Sequence, residues 1–205
     1  MPRTTSPGKL VYLALVGLVA LILVGVLIAL DPPGTARYWV IRGAALLGYV
    51  AVFLTIVSSA YLRQMKNIFG RPFLKVHHTL SVAGLILITL HPLVVAWDYA
   101  SANILLPQFD SAELFFQYGG AVVWPLIVVA TLAALWRRRI GENWRLIHAL
   151  NFLAFWLATA HAILIGTDLD ATLVKAIAVG MSLAVASISV QKARRERRRR
   201  IAKHG

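Results

Sequence analysis

The chain reads as an all-α, integral membrane six-helix bundle, and three observations lead there. Of its 205 residues 59% are hydrophobic and the mean hydropathy is +0.73, far more apolar surface than a water-soluble domain of this length needs. Six apolar stretches each approach the roughly 20 residues that cross a hydrocarbon core as a helix. The cations also sort by side: ten Lys and Arg between Arg3 and Arg145, and eight from Lys192 to Lys203, fall in the terminal segments and even-numbered connections. Only Arg37, Arg42 and Lys175 fall on the other side, with Asp31, Asp98, Asp110, Glu113, Asp168 and Asp170. By the positive-inside rule both termini face the cytoplasm, which predicts a multi-pass protein of the cell inner (plasma) membrane.

Each span follows in order. The first, Leu10 to Leu30, is too long for the apolar part of a signal peptide and no A-x-A site follows it, so it is expected to be retained. Asp31-Pro-Pro-Gly-Thr turns the chain into the second span, Trp39 to Leu62; the third runs Phe73 to Trp97. A long external connection from Asp98 to about Glu113 reads either as a plain exposed loop or as a cover over whatever the outer end holds. The fourth span, Phe116 to Trp136, is joined by Arg137-Arg-Arg-Ile-Gly-Glu-Asn to the fifth, Trp144 to Gly166, and the sixth is Thr172 to Val190. Trp39, Trp97, Trp136 and Trp144 lie at span ends, where an indole is favoured at headgroup level. The chain thus divides into a short N-terminal segment (1–9), the membrane domain (10–190) and a basic tail (191–205).

A net charge of +13 in a soluble protein would suggest nucleic acid, but here it is a topology signal, and no nucleic-acid partner is expected. The tail reads as an anchor on anionic lipid headgroups or, more sharply, as a docking patch for an acidic redox partner. Absence of cysteine excludes disulfides, thiolate-held clusters and covalently attached haem. No glycine-rich nucleotide motif is present, so no FAD or NAD site is expected in this chain.

Four histidines carry the chemistry. His77 (or its neighbour His78) and His91 lie on the third span, His148 and His161 on the fifth. Spacings of 14 and 13 residues separate the members of each pair by roughly 20 Å along a helix, too far for one ion. The two spans have the same polarity, so His77 or His78 matches His148 in depth near the inner face, and His91 matches His161 near the outer one. Haem iron accepts neutral imidazole as an axial ligand, and two b-type haems, one per level, fit this pattern. At about 100° per residue a 14-residue spacing misses whole turns by about 40° and a 13-residue spacing by about 140°. His77 is therefore preferred over His78, which becomes a spare or supporting group. The fifth span needs a kink, a π-bulge or local overwinding to aim both histidines at one neighbour. Polar groups in the bilayer core are costly, and four at matched depths point to function more than to four separate carbonyl hydrogen bonds.

Arg42, about one turn inside the second span, is the candidate partner for the propionates of the outer haem. Arg71, Lys75 and Arg145 border the inner site. Trp156 lies between the two levels, read as core filler rather than an electron-transfer bridge. A metal-ion transporter is the weaker rival, since such sites combine histidine with carboxylates and no span interior holds Asp or Glu.

The text Phe73-Leu-Lys-Val-His-His-Thr-Leu-Ser, His91, Trp144-Arg-Leu-Ile-His148, His161 and Gly166-Thr-Asp resembles the ferric reductase-like transmembrane domain from about Arg42 to Val190. Ferric reductases, NADPH oxidases and the haem-binding subunit of a bacterial periplasmic methionine sulfoxide reductase system share that domain. The resemblance implies two b-type haems stacked between the third and fifth helices, His77 and His148 on the inner one, His91 and His161 on the outer. No flavin and nicotinamide domain follows the sixth span before Gly205, so the chain looks like the stand-alone bacterial subunits. The sulfoxide-reductase subunit often lacks histidine at the position of His77, so that residue favours two haems and weakens the sulfoxide-repair assignment.

The expected function is electron transfer across the membrane, as an oxidoreductase component, from a cytoplasmic flavoprotein reductase or a quinol to ferric iron, oxygen or a periplasmic reductase. The alternative is a non-catalytic membrane partner or redox sensor in which haem only holds the bundle together.

Overall fold

Thr35 opens the first helix by accepting a hydrogen bond on its side-chain oxygen from the Tyr38 amide at 3.3 Å, satisfying one of the donors a helix start leaves over. The computed structural model describes residues 34–61, 66–67, 73–166 and 172–204, with positions 17 and 25. The expected first span, Leu10 to Leu30, lies outside these apart from the two isolated positions, as do Arg71, Asp168 and Asp170. Among the described residues the regular structure is entirely helical. Helix α1 runs Ala36–Ala60 and α2 Phe73–Asp98; a 3-10 turn, Ala102–Leu105, precedes the short α3, Ala112–Gln117. Then come α4 (Gly120–Leu135), α5 (Arg137–Ile140), a second 3-10 turn (Gly141–Asn143), α6 (Trp144–His148), α7 (Leu150–Ile165) and α8 (Thr172–His204).

Four segments are long and apolar enough to cross a membrane: Ala36–Ala60, Lys75–Asp98, Arg137–Ile165 and Thr172–Arg194. The fourth expected span is interrupted. Phe116 belongs to α3, and α4 proper has 16 residues, about 24 Å of helix against a hydrocarbon core of about 30 Å. Gly141 lies at φ 69°, the left-handed conformation glycine adopts without a Cβ penalty, and the expected tight turn after Arg137 forms there.

Helices α1 and α2 form the most extensive contact, and it is antiparallel. A Cβ on Gly48 would stand 2.9 Å from Ile88 Cγ2 and 3.3 Å from the Ile88 amide nitrogen, and one on Gly84 would stand 3.3 Å from Ala51 Cβ. Glycine at these two positions lets the backbones approach closely, and close packing is what drives association where lipid is as apolar as the side chains. Helix α4 packs on α7, and α8 on both α1 and α7. The main core joins Leu46, Val50 and Ile56 of α1, Phe155 of α7 and Val174, Ala178, Met181 and Val185 of α8. Phe155 is fully buried, stacked on Tyr49 with ring centroids 4.9 Å apart. Trp156, expected as a core filler, is 39% exposed instead. Adjacent helical positions differ by about 100°, so only one of the two can face inward.

One end of the bundle carries Lys75, the Arg137–Arg139 run, Arg145 and Lys192; the other carries Asp98, Asp110 and Glu113. Trp97 and Trp136 are exposed at span ends as expected, whereas Trp39 is partly buried against the core.

Candidate functional site

The two histidine-bearing segments make their main contacts with framework helices, α2 with α1 and α6–α7 with α4. That framework sets the rings. His91 Nδ1 lies 3.0 Å from the Ile41 carbonyl oxygen of α1, and His77 Nδ1 lies 3.4 Å from Ser58 Oγ, also of α1. His148 Nδ1 lies 2.9 Å from the Ala130 carbonyl of α4, and His161 Nδ1 lies 2.6 Å from the Phe116 carbonyl of α3. A carbonyl oxygen only accepts, so in three of these bonds the ring nitrogen must donate. The Ser58 hydroxyl gives its proton to the Thr55 carbonyl at 2.9 Å, so His77 Nδ1 is the donor there as well. All four neutral rings therefore share one tautomer, with the proton on Nδ1 and the lone pair on Nε2. This is how proteins orient imidazoles that ligate metal through Nε2.

Phase follows from the same bonds. Both histidines of α2 are held by α1, and both histidines of the α6–α7 segment are held by the α3–α4 segment. The 14-residue spacing does this in a regular helix. The 13-residue spacing does it through local overwinding at Ala149, whose amide is shared between the Arg145 and Leu146 carbonyls, both at 3.1 Å, while the Phe152 amide bonds to the Ala149 carbonyl at 2.9 Å. Each residue wound at three per turn recovers about 20°, so two such turns recover up to about 120° of the roughly 140° shortfall. Asn151 steadies the break by donating from Nδ2 to the His148 carbonyl at 3.0 Å.

At the acidic end, His91 and His161 line one cavity of about 400 Å³, within the size range of ordinary ligand sites. Its walls are mostly apolar, including Ile88, Val123, Ile127, Ala158 and Phe155, and Arg42, Tyr38 and Asp98 stand among them. Arg42 is 7% exposed; it donates to the Tyr38 hydroxyl and its guanidinium lies 5.0 Å from that ring's centroid. Arg37 pairs with Asp98 at 3.4 Å. The connection after Asp98 folds back toward the site: Tyr99 lines the cavity, and Ser111 caps α3, whose Phe116 carbonyl holds His161. Gly119 makes room for that bond, since a Cβ there would stand 3.1 Å from His161 Cβ.

At the basic end His77 lies within electrostatic reach of His148. His78 is exposed with its ring 6.0 Å from that of His77, and Lys75 and Arg145 are exposed nearby. The pairs meet at two levels, so α2 and α7 run in the same direction. Among the described residues no three of His, Cys, Asp or Glu converge; His91 and His161 share one cavity. Sequence reasoning missed Gly119, Tyr38, Tyr49 and Phe155. The tyrosines and the phenylalanine carried no polar or periodic signal among so many apolar neighbours, and Gly119 is legible only once its contact with His161 is seen.

No curated protein and no solved structure matches the chain. Residues 36–168 match a family described as a domain of unknown function, and that stretch holds all four histidines and Arg42. On a match over well over half its length, the chain belongs to the DUF8596 family.

Proposed function

We propose that the chain is a di-haem b-type transmembrane electron-transfer protein. The single observation that carries this reading is that the Nδ1 atoms of His77, His91, His148 and His161 each contact a framework segment, α1 or α3–α4. The residues fit haem: two neutral imidazoles per level, an apolar cavity about the outer pair, and a buried guanidinium in its wall suited to a propionate. His91 and His161 would hold the outer group with Arg42 beside it, and His77 and His148 the inner one. Held by these imidazoles, haem would supply reversible one-electron transfer. The four side chains fix ligand orientation, and the apolar walls exclude water. The basic end then faces the cytoplasm by the positive-inside rule, with a flavoprotein reductase or quinol as donor. On the external side the acceptor is ferric iron, oxygen or a periplasmic reductase. The ferric reductase-like resemblance supports the same assignment. The apolar walls speak against passage of a hydrated metal ion.

Iron and pyridine haemochrome measured together on purified protein test this, with about two haems expected per chain and about one in His91→Ala and in His148→Ala. Spectra unchanged in both variants would overturn the ligand assignment. Haem that no donor reduces would favour the scaffold or sensor reading.

A further inference from the structure

We propose that the part of α8 beyond the membrane is a docking rod for an acidic soluble protein on the basic side of the bundle. Helix α8 runs from Thr172 to His204 in one piece, whereas its apolar stretch ends near Val190. From Gln191 to His204 the same helix continues for about 20 Å, against a headgroup layer of about 5 to 8 Å per leaflet. This stretch holds eight Lys and Arg between Lys192 and Lys203 against the single Glu196. At about 100° per residue the basic positions go round the whole circumference, interrupted by Ala193, Glu196, Ile201 and Ala202. A helix that lies on a membrane needs an apolar face to bury, and this stretch has none. Its base is set by Lys192, whose ammonium lies 5.3 Å from the Phe152 ring centroid of α7.

Positions 197 to 200 therefore lie about 10 to 15 Å past the hydrocarbon edge, where attraction to anionic lipid fades over a Debye length of about 8 Å. A run of four consecutive arginines suits carboxylates, which a guanidinium grips in a bidentate fork. The rod rises from the end that carries His77 and His148. That the docked protein is the electron donor rests on the haem reading; the docking itself does not.

Because the sequence lacks cysteine, Ala202→Cys takes a single spin label in the full chain. In nanodiscs containing phosphatidylglycerol, the label is expected to be open to a water-soluble nickel chelate and poorly exposed to oxygen. A label held among the headgroups would overturn the proposal in favour of a lipid anchor. Affinity is then measured in phosphatidylcholine nanodiscs with flavodoxin, a small acidic flavoprotein, as the probe. The expected result is binding that falls with added salt and is at least tenfold weaker in R197Q/R198Q/R199Q/R200Q. Equal affinity in that variant, or tighter binding of poly(U) RNA than of flavodoxin, would overturn it. Binding is read without reference to haem content, so loss of docking and loss of the haem assignment come out separately.

Discussion

One methyl group at Gly119 tests how the outer imidazole is held. An alanine Cβ there would stand 3.1 Å from His161 Cβ, 3.3 Å from its Nδ1 and 3.0 Å from the Phe116 carbonyl oxygen, so it presses on both partners of one bond. Gly119 lies at φ −55° and ψ −30°, a conformation alanine adopts freely, so the conflict is purely steric. Relief to ordinary contact asks for about 0.4 Å, which stretches the 2.6 Å bond to about 3.0 Å, still a hydrogen bond. Alanine should therefore weaken the bond, and the two further methyls of valine should break it. A buried ring N–H left without its acceptor costs about 1–3 kcal/mol. Loss of the group orienting a metal-bound imidazole typically lowers affinity 10- to 100-fold. Haem transfer to excess apomyoglobin, followed in the Soret band, reads this directly. Gly119→Val is expected to lose the outer haem at least tenfold more readily, with Gly119→Ala intermediate. Gly180→Ala, whose added Cβ meets nothing within 4 Å, should behave as the unsubstituted protein. Full retention of both haems in Gly119→Val would refute the reasoning.

Phe155→Ala empties a fully buried site and should cost about 3 kcal/mol, since packing rather than water drives association in a bilayer; Trp156→Ala next to it should cost under about 1 kcal/mol. Thermal unfolding in detergent ranks the two, and equal losses would contradict the burial assigned to them. Gly48→Val drives a branched side chain into Ile88, 2.9 Å from even a lone Cβ, and should destabilise the α1–α2 pair by at least about 1–3 kcal/mol. Arg42→Gln removes a positive charge beside the outer site and should lower the outer midpoint potential, by an effect on the order of 1 kcal/mol at an effective dielectric of 20. Redox titration checks it, and an unchanged potential would remove Arg42 from the site.

Sequence made the histidine pairs legible because histidine is rare enough among apolar residues for its spacing to stand out. It also foresaw that a 13-residue spacing requires a local change of winding, which the structure places at Ala149. What holds the rings was not legible. Three of the four partners are backbone carbonyls, which every residue has, and Ser58 is one hydroxyl among many. Trp156 was singled out because tryptophan is conspicuous in text, whereas burial at that depth falls to Phe155, its neighbour by one helical step. The fourth span read as continuous because Phe116 to Trp136 is mostly apolar; the helix breaks at Tyr118 and Gly119, just after the Phe116 carbonyl that meets His161.

Packing explains how the histidine segments are set. In a bilayer, helices close on each other wherever packing allows. Here Gly48 and Gly84 let α2 approach α1 closely, while α7 packs on α4. The cavity of about 400 Å³ at the acidic end is lined by His91, His161 and Arg42 among mostly apolar side chains. If it is the outer haem site proposed above, the apolar ring would meet those walls and a propionate would suit the guanidinium. On that reading His91→Ala and His161→Ala lose stability as well as haem, and melting temperatures in detergent unchanged in both variants would count against it.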